Sequence, residues 1–457
     1  MRYKTLGWKK YVGAQGAQAP SSASYEKGTV PINYSGWPLE QPATQYCALS
    51  EDIDTDVVII GAGLAGASVA LHLAERGIHA VLLEANQPGS GASGRNAGHI
   101  QPNLASFEPL TAHKDGGKAF IDYFTKHRNI VFDLAKKYAM DADVIACGLV
   151  EAAKKPHADL EQKAKLWQSH GYNIDIIGAD QLKSMLGTDV YNYGVHWHEG
   201  GQVNPYLFTN GMVSAAVKLG AQVYGDSKVL ACEAAGKNWR VRTATGSVTA
   251  PQVIICTNGH ADSAFFPELQ NTNYPLVACG LATRPLSEEL LASINPARVV
   301  LSQHPAGLYP LVIDNRNRLI TATIPGIGRA QQADKYFAYF LRYLHRTFPA
   351  TRNANITMES YWTGMTANSS HHYDQCYPKL YQVAEGVHGL MNFGSWGNLL
   401  GPMMGMSLAN ALADGCIERC VLPIETPQTV RFPGLFETKI RRTLIPIARV
   451  ADRFDLT

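Results

Sequence analysis

Three runs in the hydrophobic pattern, at 57–60, 81–83 and 253–256, contain no polar residue. Runs that apolar suit parallel strands covered on both faces. Stretches 147–153, 276–285 and 307–320 alternate or run apolar, and predict strands of a second, largely antiparallel sheet. Helical spacing shows in Phe120, Phe124, Val131, Leu134 and Tyr138, and again in Tyr336, Phe337, Phe340, Leu341, Leu344 and Phe348. Aromatic stripes of this kind mark core. Residues 1–50 are rich in Gly, Ala, Gln, Ser and Pro without a sustained period, and read as an extended arm.

The first apolar run leads into Gly61-Ala62-Gly63-Leu64-Ala65-Gly66, a helix-like stretch to Gly77, and a second run ending in Glu84. Gly61 permits a tight turn, Gly63 lets backbone N–H groups approach a pyrophosphate, and Gly66 lets the helix lie close to the strand. The helix N-terminus offers free N–H donors to that anion. Glu84 stands where a carboxylate accepts hydrogen bonds from an adenosine ribose and repels a 2′-phosphate. A bare GxGxxG is weak evidence. The ordered strand–turn–helix–strand–acid unit is much stronger, and predicts an adenine-dinucleotide site. A second small-residue turn, Thr257-Asn258-Gly259, follows the third run at the same sheet edge.

Next comes Pro88-Gly89-Ser90-Gly91-Ala92-Ser93-Gly94-Arg95-Asn96-Ala97-Gly98-His99, a small-residue loop suited to lying along an extended cofactor. A flexible linker is the plainer reading, but Arg95, Asn96 and His99 are interleaved too specifically for one. Late in the chain, Phe393-Gly394-Ser395-Trp396-Gly397-Asn398-Leu399-Leu400-Gly401-Pro402 lets backbone approach a flat ring, with Pro402 expected to open the following helix. With these motifs the chain resembles the FAD-dependent amine and amino-acid oxidoreductases of the D-amino-acid oxidase superfamily, closest to the γ-glutamylputrescine oxidoreductase branch.

That resemblance implies an α/β fold in which a Rossmann-like FAD domain (51–140, 195–270, 360–425) interleaves with a mostly antiparallel substrate domain (141–194, 271–359), followed by a tail at 426–457. It implies FAD contacts at Leu64, Ala65, Ala92, Ser93, Arg95, Asn96, Ala97, Gly98, Val229, Thr257, Gly259, Gly397, Asn398, Leu399 and Leu400, besides the fingerprint residues. The helix after Gly397 would aim its positive end at the flavin pyrimidine. Relatives often read Gly-His-Gly where this chain has Ser395-Trp396-Gly397, so Trp396 is either an aromatic wall or packing. Leu308-Tyr309-Pro310-Leu311 lacks the cysteine that anchors FAD in the sarcosine-oxidase branch, which implies non-covalent FAD. His99, Tyr309, Trp362 and Trp396 are candidates for the substrate pocket. Met365 stands where relatives that oxidise α-amino acids place a carboxylate-binding arginine, with Arg284 or Arg95 as the alternative anchor.

The expected activity is oxidation of an amine C–N bond, with O2 or a respiratory acceptor taking the electrons. An FAD-dependent amino-acid oxidase or dehydrogenase, and a non-catalytic FAD-holding subunit, are the alternatives. Lys plus Arg is 40 against 38 Asp plus Glu, which gives no case for nucleic acid. No apolar run approaches the roughly 20 residues that span a bilayer, and no secretory signal is evident. Eight cysteines are scattered without a C-x-x-C pair, which fits a reducing cytoplasm. Cys416 and Cys420 could form half a metal site, or a simple pair on the last helix. His196, His198 and Glu199 tempt a metal reading, but with no third or fourth ligand evident they are assigned to hydrogen bonding, and no metal is expected. His371-His372 reads as an exposed loop. Lys439, Arg441, Arg442, Arg449 and Arg453 among Ile440, Leu444, Ile445, Ile447 and Val450 could make a membrane-surface helix, but Pro446 should interrupt it and favour packing back on the protein.

Overall fold

A computed structural model describes residues 32–33, 36–37, 44–104, 106–260, 266–370 and 377–453. Most of the expected arm, and His371-His372, lie outside the described residues. The three unbroken apolar runs lie side by side in a sheet with seven strands among the described residues. Val57–Ile60 pairs in parallel with Ala80–Leu83 on one side and Gln252–Ile255 on the other. Ile60 is level with both Leu83 and Ile255, so the three strands end together. That register delivers the Gly61 turn, Glu84 and Thr257 to one edge, where open α/β sheets bind ligands. Gln222–Tyr224 and Val387–Met391 extend the parallel pairing, while Lys379–Ala384 runs antiparallel.

The helix Leu64–Glu75 is buried from Leu64 through Ala74. A helix apolar all round needs cover on every side. Here Pro205–Lys218 and Gly397–Ala413 supply it, packing against this helix.

Among the described residues the second sheet has nine strands, in the order Ile32–Asn33, Met358–Asn368, Tyr274–Thr283, Leu319–Thr323, Leu311–Ile313, Val300–Gln303, Leu149–Ala153, Tyr193–Trp197 and Ile174–Gly178. It is largely antiparallel, with two parallel pairings: Ile32–Asn33 on Met358–Asn368, and Val300–Gln303 on Leu149–Ala153. It therefore takes in Tyr193–Trp197 and the start of the 360–425 segment.

Four local expectations need correction. The apolar stretch at 307–320 is not one strand but enters a hairpin, Leu311–Ile313 and Leu319–Thr323, because Asp314 and Asn317 close a turn with Asn317 at φ +62°. The 120–138 stripe forms two helices, Lys118–Lys126 and Ile130–Lys137. Cys416 and Cys420 flank a 3-10 turn beyond the last residue of Gly397–Ala413. Pro446 does not end the tail helix: Pro433–Lys439 runs through a π-helical turn, Ile440–Leu444, into Ile445–Arg453, and the proline follows that turn, where the regular α-helical hydrogen-bond ladder is already shifted. The tail does pack back, with Phe436 and Ile440 buried against Leu276. Among the described residues, no helix is long and apolar enough to cross a membrane.

Candidate active site

The site begins at the glycine turn. Gly61 sits at φ +103°, in the left-handed region that favours glycine, and a Cβ there would lie 2.9 Å from the Cys256 carbonyl oxygen. A Cβ on Gly66 would fall 1.9 Å from the Gly61 oxygen, so this position sets how closely the helix approaches the strand. A Cβ on Gly63 would meet Ser93 Oγ at 2.7 Å. That hydroxyl accepts from Leu64 N at 3.0 Å, so the 88–99 loop itself caps the fingerprint helix.

Glu84 closes the turn from the neighbouring strand. Its Oε2 accepts from Ala62 N at 2.8 Å and its Oε1 from Asn86 N at 3.0 Å. Burial pushes the carboxyl above its usual range, and these two N–H groups oppose that rise. Glu84 thus braces the glycine turn, a role not visible in its spacing.

The loop is held by the nine-stranded sheet, by Trp37 and by the helix Gly397–Ala413. Buried Arg95 donates from Nε to the Ser90 oxygen at 2.8 Å and from Nη1 to the Thr363 oxygen at 3.4 Å. The indoles of Trp37 and Trp362 donate to the carbonyls of Asn96 and Arg95 at 2.9 and 2.7 Å. Asn96 and Asn398 exchange two amide hydrogen bonds at 2.9 and 2.8 Å, and Asn398 Nδ2 also reaches the His99 oxygen at 2.8 Å. Gly98 N donates to Asn96 Oδ1 at 2.8 Å, so the Asn96 amide oxygen accepts from both Gly98 and Asn398.

Two buried polar atoms at this edge meet no hydrogen-bond partner among the described residues: His99 Nε2 and Thr257 Oγ1. Burial draws the His99 imidazole down to about 4, so the ring is neutral at physiological pH. Its short strand, His99–Ile100, pairs with Gly201–Gln202, with His99 opposite Gln202. Unsatisfied buried polar groups in a glycine-lined cleft mark where a polar ligand belongs. A cradle closed to side chains at Gly61, Gly63 and Gly66, a helix N-terminus and these orphan atoms together fit an extended dinucleotide such as FAD.

The remaining predicted residues divide. Gly397 is the first residue of the closing helix, Trp396 its N-cap, and Leu399 and Leu400 are buried in it. Pro402 does not open that helix but lies within it, where its carbonyl accepts from Ser68 Oγ at 2.7 Å. Met365 is buried over the second turn, its Cε 2.8 Å from where a Gly259 Cβ would be. Ala97 is buried and Ala92 starts the 3-10 turn of the loop. Val229 is buried with Val81 and Leu83. Trp362 is not a pocket wall. It is fully buried, wedged where Cβ atoms on Gly36 and Gly280 would clash with it, and it acts on the loop through Arg95. Tyr309 stacks on Tyr343, ring centres 5.2 Å apart, in the separate core around the helix Ala333–Thr347. Arg284 is exposed at the end of its strand.

Several contributors escape a reading of spacing. Trp37 lies in a segment without hydrophobic period. Gly401 and Gly405 let the closing helix approach the fingerprint helix, where Cβ atoms would come within 2.9 Å of Leu64 and 2.6 Å of Ser68. Their four-residue spacing on a helix was the available signal.

Residues 56–411 match the model of the FAD dependent oxidoreductase family, DAO. The chain is similar to the γ-glutamylputrescine oxidoreductase of Escherichia coli, 30% identical over 328 residues that cover 69% of this chain and 74% of that one. It is also similar to a Haemophilus influenzae protein described as probable oxidoreductase OrdL, 27% identical over 76% of this chain and 81% of the other. In fold it is similar to glycine oxidase from Geobacillus kaustophilus, with a TM-score of 0.63 at 18% identity over 80% of this chain and 95% of that one. Motif, fold and match agree over the same residues, and the chain belongs to the DAO family of FAD-dependent oxidoreductases.

Proposed function

We propose that the protein oxidises the carbon–nitrogen bond of an amine that carries no carboxylate on the oxidised carbon. When bound, FAD supplies the hydride acceptor for the C–H bond beside the nitrogen. The nitrogen lone pair forms the C=N bond as hydride leaves, and water then hydrolyses the imine to a carbonyl and an amine. An ammonium has no lone pair to give, so the site must hold the free base. Neutral His99 and apolar Met365 favour it, since neither stabilises a cation by charge and both displace water that would. Rate enhancement then comes from positioning in a rigid cleft, and no dedicated base is assigned.

The observation that carries this reading is Met365 packed on Gly259. A buried carboxylate without a cation costs several kcal/mol. Arg95 is held by the Ser90 and Thr363 carbonyls, and Arg284 is exposed. The named substrate of the Escherichia coli relative is itself an amine, which supports the same class. Cofactor handling falls to the seven-stranded sheet and substrate cover to the nine-stranded one. FAD is held non-covalently in this reading: Cys256, beside the glycine turn, is buried with its thiol pushed up to about 12 and is a poor nucleophile. Acid precipitation should release the yellow colour into the supernatant. The deciding experiment is kcat/KM for matched pairs, each an amine and its α-carboxylated analogue; preference for the amine is expected, and preference for the amino acid overturns the proposal.

A further inference from the structure

His196 and His198 lie two apart on the strand Tyr193–Trp197 and its continuation, so their side chains share one face. Trp197 between them points the other way, fully buried against Trp167 and Tyr172. A slip of one residue would expel that indole, so the register is strongly held. The neighbouring edge strand, Ile174–Gly178, places Asp175 directly opposite His196. His198 N donates to the Asn173 oxygen at 3.1 Å, which carries the ladder one step further. Strand pairing, absent from any local motif, thus supplies the third ligand type.

We propose that Asp175, His196 and His198 bind one divalent transition-metal ion, with Zn2+ the best match. Two imidazoles and one carboxylate are a zinc-type donor set, and a fourth position stays open to water. One ligand atom from each residue lies within 4.8 Å of the others. His198 Nε2 and Asp175 Oδ2 are 2.7 Å apart, and the two imidazole ring centres are 4.1 Å apart. Donors around a tetrahedral zinc are separated by about 3.4 Å, so side-chain rotation is enough to close the site. His196 takes no hydrogen bond among the described residues, and solvent reaches the side chains of both His198 and Asp175. An ion can enter without the sheet opening. Ligation ties the edge strand to its neighbour four residues before Gln202, the partner of His99.

A second cluster offers the same donor types from a helix N-cap (His157), the first turn of that helix (Asp159) and a loop (His304), and serves as the control. The test is equilibrium dialysis of the full-length, FAD-loaded protein with Zn2+ after EDTA treatment. One ion per chain is expected, with a zinc-dependent rise in melting temperature. H196A/H198A should abolish uptake, D175N should weaken it at least tenfold, and H304A should leave it unchanged. Flavin content of each variant reports that the fold is intact. Zinc uptake unaffected by H196A/H198A, or lost instead in H304A, overturns the proposal, as does wild-type uptake no greater than that of the double variant.

Discussion

Asn96 and Asn398, 302 residues apart, hold each other by two reciprocal amide hydrogen bonds. Each side chain is donor and acceptor at once, so the cofactor loop and the closing helix have only one mutual arrangement that satisfies both. Asn398→Asp removes both Nδ2 bonds and sets a carboxylate against the Asn96 and His99 oxygens. Leaving buried acceptors facing an anion costs roughly 1–3 kcal/mol or more. FAD affinity should fall at least tenfold while far-ultraviolet circular dichroism is retained. Titration showing wild-type affinity would remove the pair from the cofactor site.

The fingerprint glycines should fail in different ways. Gly63→Val brings its Cβ against Ser93 Oγ and its methyls into the pyrophosphate space, and should yield folded, colourless protein. Gly66→Ala puts a methyl 1.9 Å from the Gly61 oxygen, which backbone movement alone can relieve. It should lower stability by about 1–3 kcal/mol, the usual range for overpacking. Denaturant unfolding and flavin absorbance, measured on both variants, separate the two roles.

His99 sets a pH dependence with a definite sign. Its folded value lies near 4, below the ordinary 6.5, so between these values the unfolded chain binds the extra proton. Stability contributed here is full above about pH 6.5 and is lost as the pH falls toward 4. Other buried histidines, His72 and His388 among them, shift the same way. The diagnostic is therefore a difference: His99→Asn should flatten the slope of unfolding free energy against pH in that window. An unchanged slope would show that His99 titrates normally.

Arg318 is almost wholly buried, paired with Asp314 and Glu359, and donates to the Gly36 oxygen at 3.1 Å. Removing it leaves Asp314 buried without its cation, while Glu359 keeps Arg316 at 3.1 Å, and losing one partner of a buried ion pair typically costs about 3–5 kcal/mol. Arg318→Ala should show that loss in urea unfolding. Folded at low temperature with FAD bound, it should keep the wild-type KM, because these groups brace the sheet rather than the substrate.

What was legible from residues follows from how local each constraint is. Gly61 and Gly66 are demanded by a turn and a contact within six residues, and the unbroken runs at 57–60 and 253–256 state their own burial. Asp175 meets His196 only through strand pairing, and Asn96 meets Asn398 only once two distant segments fold together. Trp362 reads as a pocket wall because aromatic residues serve both walls and cores; Gly36 and Gly280, which make room for it, are far away in sequence. The break at 127–129 was hidden because the apolar period resumes in phase after it.

Met365 gives the sharpest test of substrate choice. It faces Val277 across the sheet while its Cε lies over Gly259, so it joins the substrate-side sheet to the cofactor turn. Met365→Arg would place a guanidinium there, where a substrate carboxylate could pair with it through two charge-assisted hydrogen bonds. Bound to a simple amine, the same variant sets an unpaired cation beside a nitrogen that becomes positive as hydride leaves, which raises the barrier. The variant should therefore be slower on amines, and its kcat/KM ratio for α-carboxylated over plain substrate should rise at least tenfold. Met365→Leu keeps volume and polarity and should stay within about threefold of wild type, since volume-conserving apolar exchanges are tolerated best. Flavin content of both proteins must match wild type for the comparison to count. An unchanged ratio in flavin-loaded Met365→Arg would place the substrate's α-substituent elsewhere and remove the basis for a carboxylate-free substrate.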